Sequence, residues 1–495
     1  MVSAHDLRRA VDEIRNRWPT VGLALGIVRD GRLDAFHADG FADIASRTPV
    51  TEDTVFRIGS LTKTFTAIAI MQLWEQGRID LDAPANRYLR AFELVPAKPG
   101  FRPATIRHLL THTAGIREML HLTGLFQMTR VLGEAIPAGR RVLDLAEYYR
   151  GGLRIDLDPG TCWMYTNHGF ATLGQIVEDM TGRPLDRYFR EHIFEPLGME
   201  STDLVRSRRV RLRLATGYEL RAHGARPVDC ELTTIGAGGI YSSPRDVARY
   251  LAALLAGGAG EHRSVLERET LTLMCQAHYQ PDPRVPGMGL AFWRCDLGGH
   301  PAVEHSGIVP GFDSQICLAP NDGVGVMAFA NGARQGMFWL VPEVASVLRR
   351  VLDVPEDTVR RDVPHHPEIW GELCGSYRFM SHRTDPAKLA MGLGAQVLVR
   401  RGRLTFRILS PIPALYRGAE LHPDDHEDPY AFRTELPLFG GGATRAVFSR
   451  DSAGRVTGLH LDIAPMSFKR RRKEDVPRRV IHEQGASSAA VRRAP

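Results

Sequence analysis

Lysine is scarce in this chain: five occur, against fifty-eight arginines, in 495 residues. Arginine stays protonated under ordinary conditions, whereas a desolvated lysine can release its proton and act as a base. Each retained lysine therefore carries weight. Paired cysteines are also missing. Cys162, Cys230, Cys275, Cys295, Cys317 and Cys374 stand singly, with no C-x-x-C spacing. That predicts small buried hydrophobes with reduced thiols and argues against a metal site. No apolar run reaches the roughly 18 residues of a membrane span. Met1 to Leu7 holds neither a basic n-region nor an apolar h-region. These absences lead us to expect a cytoplasmic protein with no integral membrane segment. Excess charge is missing from the body of the chain as well. From Lys469 onward there are nine Lys/Arg and three Asp/Glu, which account for the whole net charge of +6. The neutral remainder argues against a nucleic-acid partner. Lys469-Arg470-Arg471-Arg472-Lys473 and the Ala/Ser/Pro-rich residues after it read as a basic disordered tail.

What is present is an ordered alternation of helical and strand-like segments. Leu7, Val11, Ile14 and Trp18 share helical spacing. Val21 to Val28 and Leu33 to Phe41 read as strands joined by an Asp30-Gly31 hairpin turn. Thr62 to Gln76 reads as an amphipathic helix ending at Gly77, and Ile106 to Thr111 as a short one. His168 to Met180 is helical up to Gly182. Gly236-Ala237-Gly238-Gly239 is a tight turn ahead of a helix near Pro244. Met288–Cys295, Ser314–Leu318 and Val324–Ala330 are strand-like, and residues 337–352 form a closing helix. Residues 355–367 are a Pro/His/Arg-rich linker. Short alternating runs then predict a small antiparallel β-barrel or sandwich.

Ser60-Leu61-Thr62-Lys63 is the only Ser-x-x-Lys. Random placement of nineteen serines and five lysines gives about 0.2 such pairs, so the setting must add weight. An N-cap is the commonest use of a serine at a helix start. The catalytic alternative uses Lys63, one turn along, as a base for the weakly nucleophilic Ser60 hydroxyl. Tyr165-Thr166-Asn167 precedes a helix. Lowering a tyrosine pKa from about 10 to about 7 takes roughly 4 kcal/mol. An ammonium about 4 Å away supplies that much in a partly desolvated site. Lys63 and Tyr165 thus form a coupled pair, and either can hold the proton. Asn167 offers amide donors and an acceptor to Lys63 and to substrate. His305-Ser306-Gly307 closes the set at the end of a strand, where glycine permits a close backbone approach.

These motifs, in this order, resemble those of the serine β-lactamase and penicillin-binding-protein superfamily. The resemblance covers about residues 5 to 350. Val55-Phe56-Arg57-Ile58-Gly59-Ser60-Leu61-Thr62-Lys63 looks like the nucleophile helix of class C β-lactamase-related hydrolases. Ile106-Arg107-His108-Leu109-Leu110-Thr111-His112-Thr113-Ala114-Gly115 and Tyr165-Thr166-Asn167-His168-Gly169 resemble two further stretches of that group. The resemblance implies an α/β (α+β) transpeptidase-like fold, with an antiparallel central sheet flanked by helices and a helical subdomain. It implies a hydrolase domain over 1–354, the linker 355–367, a lipocalin-like barrel over 368–470 and the tail 471–495. It also implies Ser60 as the acylated nucleophile, Lys63 and Tyr165 as shared base, and Asn167, His305, Gly307 and Ile308 as substrate-binding residues. The N–H groups of Ser60 and Ile308 would form the oxyanion hole, and neither a metal nor an organic cofactor is implied.

One position departs from the pattern. β-Lactamases usually carry Lys-Thr-Gly where this chain has His305-Ser306-Gly307. A neutral imidazole offers no fixed cation to a substrate carboxylate. At an effective dielectric near 20, that removes up to about 4 kcal/mol of attraction at about 4 Å. The expected substrate is an ester, a small amide or a short peptide. D-aminopeptidase, DD-carboxypeptidase or weak β-lactamase activity are alternatives on the same site, and a non-catalytic binding protein is the alternative of another class. The sequence leaves the role of the barrel and the oligomeric state open.

Overall fold

The computed structural model describes residues 4–118, 135–257, 264–333, 338–380, 392, 394–410, 413–436 and 443–471. The N-terminal helix Ala4–Arg17 leads into the hairpin Thr20–Arg29 and Arg32–Asp43. Asp30 and Gly31 both adopt positive φ, 51° and 73°, as a type I′ turn requires. The hairpin does not stand alone. Thr20–Arg29 pairs with the late strand Val324–Ala333, which continues through Phe312–Ala319 and Pro301–Val309 to Trp293–Asp296. All these pairings are antiparallel, so the two ends of the first 354 residues share one sheet.

Side-chain alternation gives this sheet two buried faces. Leu25, Ile27, Cys317 and Val326 face the helices Ala4–Arg17 and Leu340–Leu352. Ala24, Ile316 and Phe329 face the other way, into a cluster with Phe65 and Leu73. Those two belong to the helix Thr62–Glu75, which corrects the amphipathic reading. Every residue from Thr62 to Leu73 is buried, so this is a central helix with no solvent face. Its threonines are accommodated because their hydroxyls find acceptors. Thr64 donates to Leu61 O at 2.8 Å, and Thr66 donates to Gly236 O. Among the described residues no helix is long and apolar enough to cross a membrane.

The C-terminal strands form a second antiparallel sheet, nine-stranded among the described residues. Its outermost strands in pairing order are Ala419–Glu420 and His422–Pro423. Only Leu421 separates them, so the sheet has to curl until its ends nearly meet. The nearly closed barrel fits the expected small antiparallel domain. Strict alternation, as in Arg403–Ile408 with Leu404, Phe406 and Ile408 inside, fills it. The tail reading needs one correction. Lys469 and Arg470 belong to the strand Ser467–Arg470, paired on both sides and anchored by the buried Phe468. The charge run disguised a strand whose inward residue is aromatic. Residues 472–495 lie outside the described residues.

Candidate active site

Ser60 stands in the 3-10 turn Gly59–Leu61 that feeds the helix Thr62–Glu75. Its hydroxyl caps no helix. It sits between two other side chains: Lys63 Nζ donates to Ser60 Oγ at 2.9 Å, and Tyr165 Oη lies 2.9 Å from the same oxygen. Lys63 is fully buried. Its Nζ also donates to Asn167 Oδ1 at 2.6 Å and to Ala237 O at 2.9 Å. Three acceptors match the three donors of an ammonium. The Nζ lies 4.9 Å from the centre of the Tyr165 ring, so both expected bases touch the nucleophile and each other's surroundings.

Helix starts place the partners. Thr166 caps the helix Asn167–Thr181 by accepting from His168 N–H, which fixes Tyr165 just outside the helix and Asn167 on its first turn. The Gly236–Gly239 run is a short helical turn, Ile235–Gly238. Its glycines allow close packing, since a Cβ on Gly236 would lie 3.3 Å from Gly174 Cα. That approach delivers Ala237 O to Lys63.

The third motif arrives from the sheet. His305, Ser306 and Gly307 lie in the middle of Pro301–Val309, not at a strand end. A Cβ on Gly307 would meet Ile58 O at 2.0 Å, and one on Gly59 would meet Ile308 N at 2.7 Å. Gly59 also has a φ of 53°. These two glycines let the strand lie directly against the Ser60 turn. The two-residue turn Pro310-Gly311 closes on the Val309–Phe312 pair. Counting back, Ile308 and Asp313 form a non-hydrogen-bonded pair, so Ile308 N–H points out of the ladder.

His305 is buried, with Nδ1 2.7 Å from Ser306 O. A nitrogen that close to a carbonyl carries the proton, which leaves Nε2 as a lone-pair acceptor. Nε2 is buried and has no partner among the described residues. Burial first, and Lys63 second, pull its pKa down to about 3. His305 therefore presents a neutral acceptor where a β-lactamase-type site presents a lysine.

Two side chains escaped the sequence reading. His112 lies over Tyr165 with ring centres 4.4 Å apart, and its Nδ1 accepts from Thr166 N–H at 3.3 Å. Burial, then Lys63, then His305 hold His112 well below the ordinary histidine range. Glu118 Oε2 accepts Asn167 N–H at 2.7 Å, placing a carboxylate at that helix N-terminus. Both belong to or follow the stretch Leu109–Gly115, and the positive φ of 57° at His112 marks it as constrained. The barrel also reaches this site. Its core continues into Trp163 and Met288, with Tyr165 and Trp293 packed on the edge. Residues 119–134, which follow Glu118, lie outside the described residues.

The beta-lactamase family pattern matches residues 7–340. The chain belongs to the beta-lactamase family. Its enzymatic class is that of the family's serine hydrolases. It is 30% identical over 314 residues to esterase EstB of Burkholderia gladioli, covering 58% of this chain and 79% of that one. It is 26% identical over 391 residues to a D-aminopeptidase of Gluconobacter oxydans (strain 621H), covering 77% of this chain and 68% of that one. The octameric penicillin-binding protein homologue from Pyrococcus abyssi superposes with a TM-score of 0.61 at 22% identity, over 94% of this chain and 99% of that one. That likeness extends the shared fold through the barrel.

Proposed function

We propose that this beta-lactamase-family enzyme hydrolyses esters, or small amides and short peptides without a recognised carboxylate, through an acyl-enzyme on Ser60. Ser60 Oγ attacks the substrate carbonyl carbon. Its proton passes to the Lys63–Tyr165 pair and on to the leaving alcohol or amine. Water then attacks the acyl-serine and gives a proton to the same pair, which returns it to Ser60 Oγ as the acyl–oxygen bond breaks and the acid leaves. Lys63 Nζ and Tyr165 Oη each lie 2.9 Å from Ser60 Oγ, so either member of the pair is within reach of its proton. The N–H groups of Ser60 and Ile308 hold the oxyanion of each tetrahedral intermediate. Asn167 keeps Lys63 aimed at Ser60 and offers its amide to the substrate.

The observation that carries the substrate reading is His305. Its neutral Nε2 accepts a hydrogen bond and cannot anchor a carboxylate, which disfavours β-lactams and C-terminal D-Ala-D-Ala peptides. The named relatives, an esterase and a D-aminopeptidase, fit that reading. The test is a panel of short-chain p-nitrophenyl esters, D-amino acid amides and a chromogenic cephalosporin. Turnover of the first or second group that disappears in Ser60→Ala supports the reading. Preference for the cephalosporin, or equal rates in wild type and Ser60→Ala, overturns it.

A further inference from the structure

The reverse face of the strand that carries His305 holds a cluster outside the hydrolytic site. Cys295, Glu304 and Cys317 come from three adjacent strands, and their ligand atoms all lie within 4.8 Å of one another. Sequence spacing concealed this grouping, because no two of the three are near neighbours in the chain. Residues alternate along Pro301–Val309, so Glu304 points away from the face that His305 occupies. Cys317 is fully buried, while Cys295 and Glu304 are partly exposed at the sheet edge, which leaves a way in from solvent.

Three features distinguish the cluster from ordinary packing. Acid-capable groups converge there without a compensating cation: Glu304 has no ion-pair partner among the described residues and takes only a hydrogen bond from Gln315 Nε2, at 2.8 Å. The Gln315 amide is fully buried, and its Oε1 has no hydrogen-bond partner among the described residues. The side chain that holds Glu304 is thus itself buried and only half satisfied. A disulfide does not explain the thiols. They lie on strands separated by a third, about 9–10 Å apart between backbones, beyond the reach of an S–S bridge. By contrast, a second such grouping among the described residues, His365, Glu420 and His422, has its carboxylate already held by Arg403 at 2.7 Å.

The geometry points to a binding site for a thiophilic divalent cation of the zinc class, ligated by Cys295 Sγ, Cys317 Sγ and a Glu304 carboxylate oxygen, with water in the fourth position. Two sulfurs and an oxygen suit zinc-like ions and disfavour magnesium or calcium. Thiol ligands bind a metal as thiolates, so binding releases protons and affinity rises with pH. The bound ion staples three strands behind His305 and Ile308. It is a structural clamp, and hydrolysis routes no step through it.

The test is anaerobic titration of the reduced full-length protein with Co²⁺, read by sulfur-to-cobalt charge-transfer absorption in the near ultraviolet. One equivalent is expected to develop the band. Cys162→Ser is expected to keep it, Cys295→Ser and Cys317→Ser to lose it, and Glu304→Gln to weaken binding about tenfold or more. Ester hydrolysis by the two cysteine variants, measured without metal, reports that they are folded. No band in the wild type, or a band that persists in the Cys295→Ser/Cys317→Ser double variant, overturns the proposal.

Discussion

The two walls of this site are built in opposite ways. Around Ser60, polar groups are saturated: Lys63 spends all three donors, and Ser60 Oγ meets both an amine and a phenol. His305, by contrast, is neutral and keeps a buried Nε2 with no hydrogen-bond partner among the described residues. A saturated network fixes geometry and proton position, which is what bond making needs. In the proposed reading the first wall does the chemistry, which follows the family pattern, and the second does the recognition, which departs from it.

Changes on the saturated wall are expected to have the largest effects. Lys63→Arg and Lys63→Ala should both lower kcat/KM for an ester by about a thousandfold, because arginine supplies charge without a removable proton. A Lys63→Arg variant close to wild type would break the contrast between the walls. Tyr165→Phe comes next, with a loss of about a hundredfold concentrated in kcat. On the recognition wall the expected effect is smaller and selective. His305→Lys should improve KM by about tenfold for esters bearing a carboxylate, well inside the ~4 kcal/mol ceiling for such a pair. It should not do so for neutral esters. Paired kinetics on the two ester types check this.

The smallest effect is on stability. His305 titrates at about 3 when folded and near 6.5 when unfolded. Between those values the unfolded chain binds more protons, so this group adds stability as pH rises and withdraws it as pH falls. His305→Gln should therefore flatten the fall in Tm between pH 6.5 and 5. A wild-type slope in the variant would show that another group controls it.

Local signals gave much of this molecule away. The Asp30-Gly31 turn, the Gly182 stop and the alternating barrel runs all express themselves within a few residues. The Ser60, Tyr165 and His305 motifs were recognisable because each sits at a structural punctuation mark or a close approach. What escaped depended on distant partners. The helix Thr62–Glu75 looked half polar until its threonine hydroxyls found backbone acceptors. Lys469 and Arg470 looked like a tail until Phe468 found the barrel core. His112 and Glu118 meet Thr166 and Asn167 only after some fifty residues of intervening chain. Cys295 and Cys317 meet across a third strand.

The most direct test of the central claim is the intact mass of the protein quenched during turnover of a slow p-nitrophenyl ester. Wild type is predicted to gain the mass of one acyl group, mapped by peptide digestion to Ser60, and Ser60→Ala to gain none. An acyl adduct elsewhere, or turnover with no adduct and full activity in Ser60→Ala, would contradict the account.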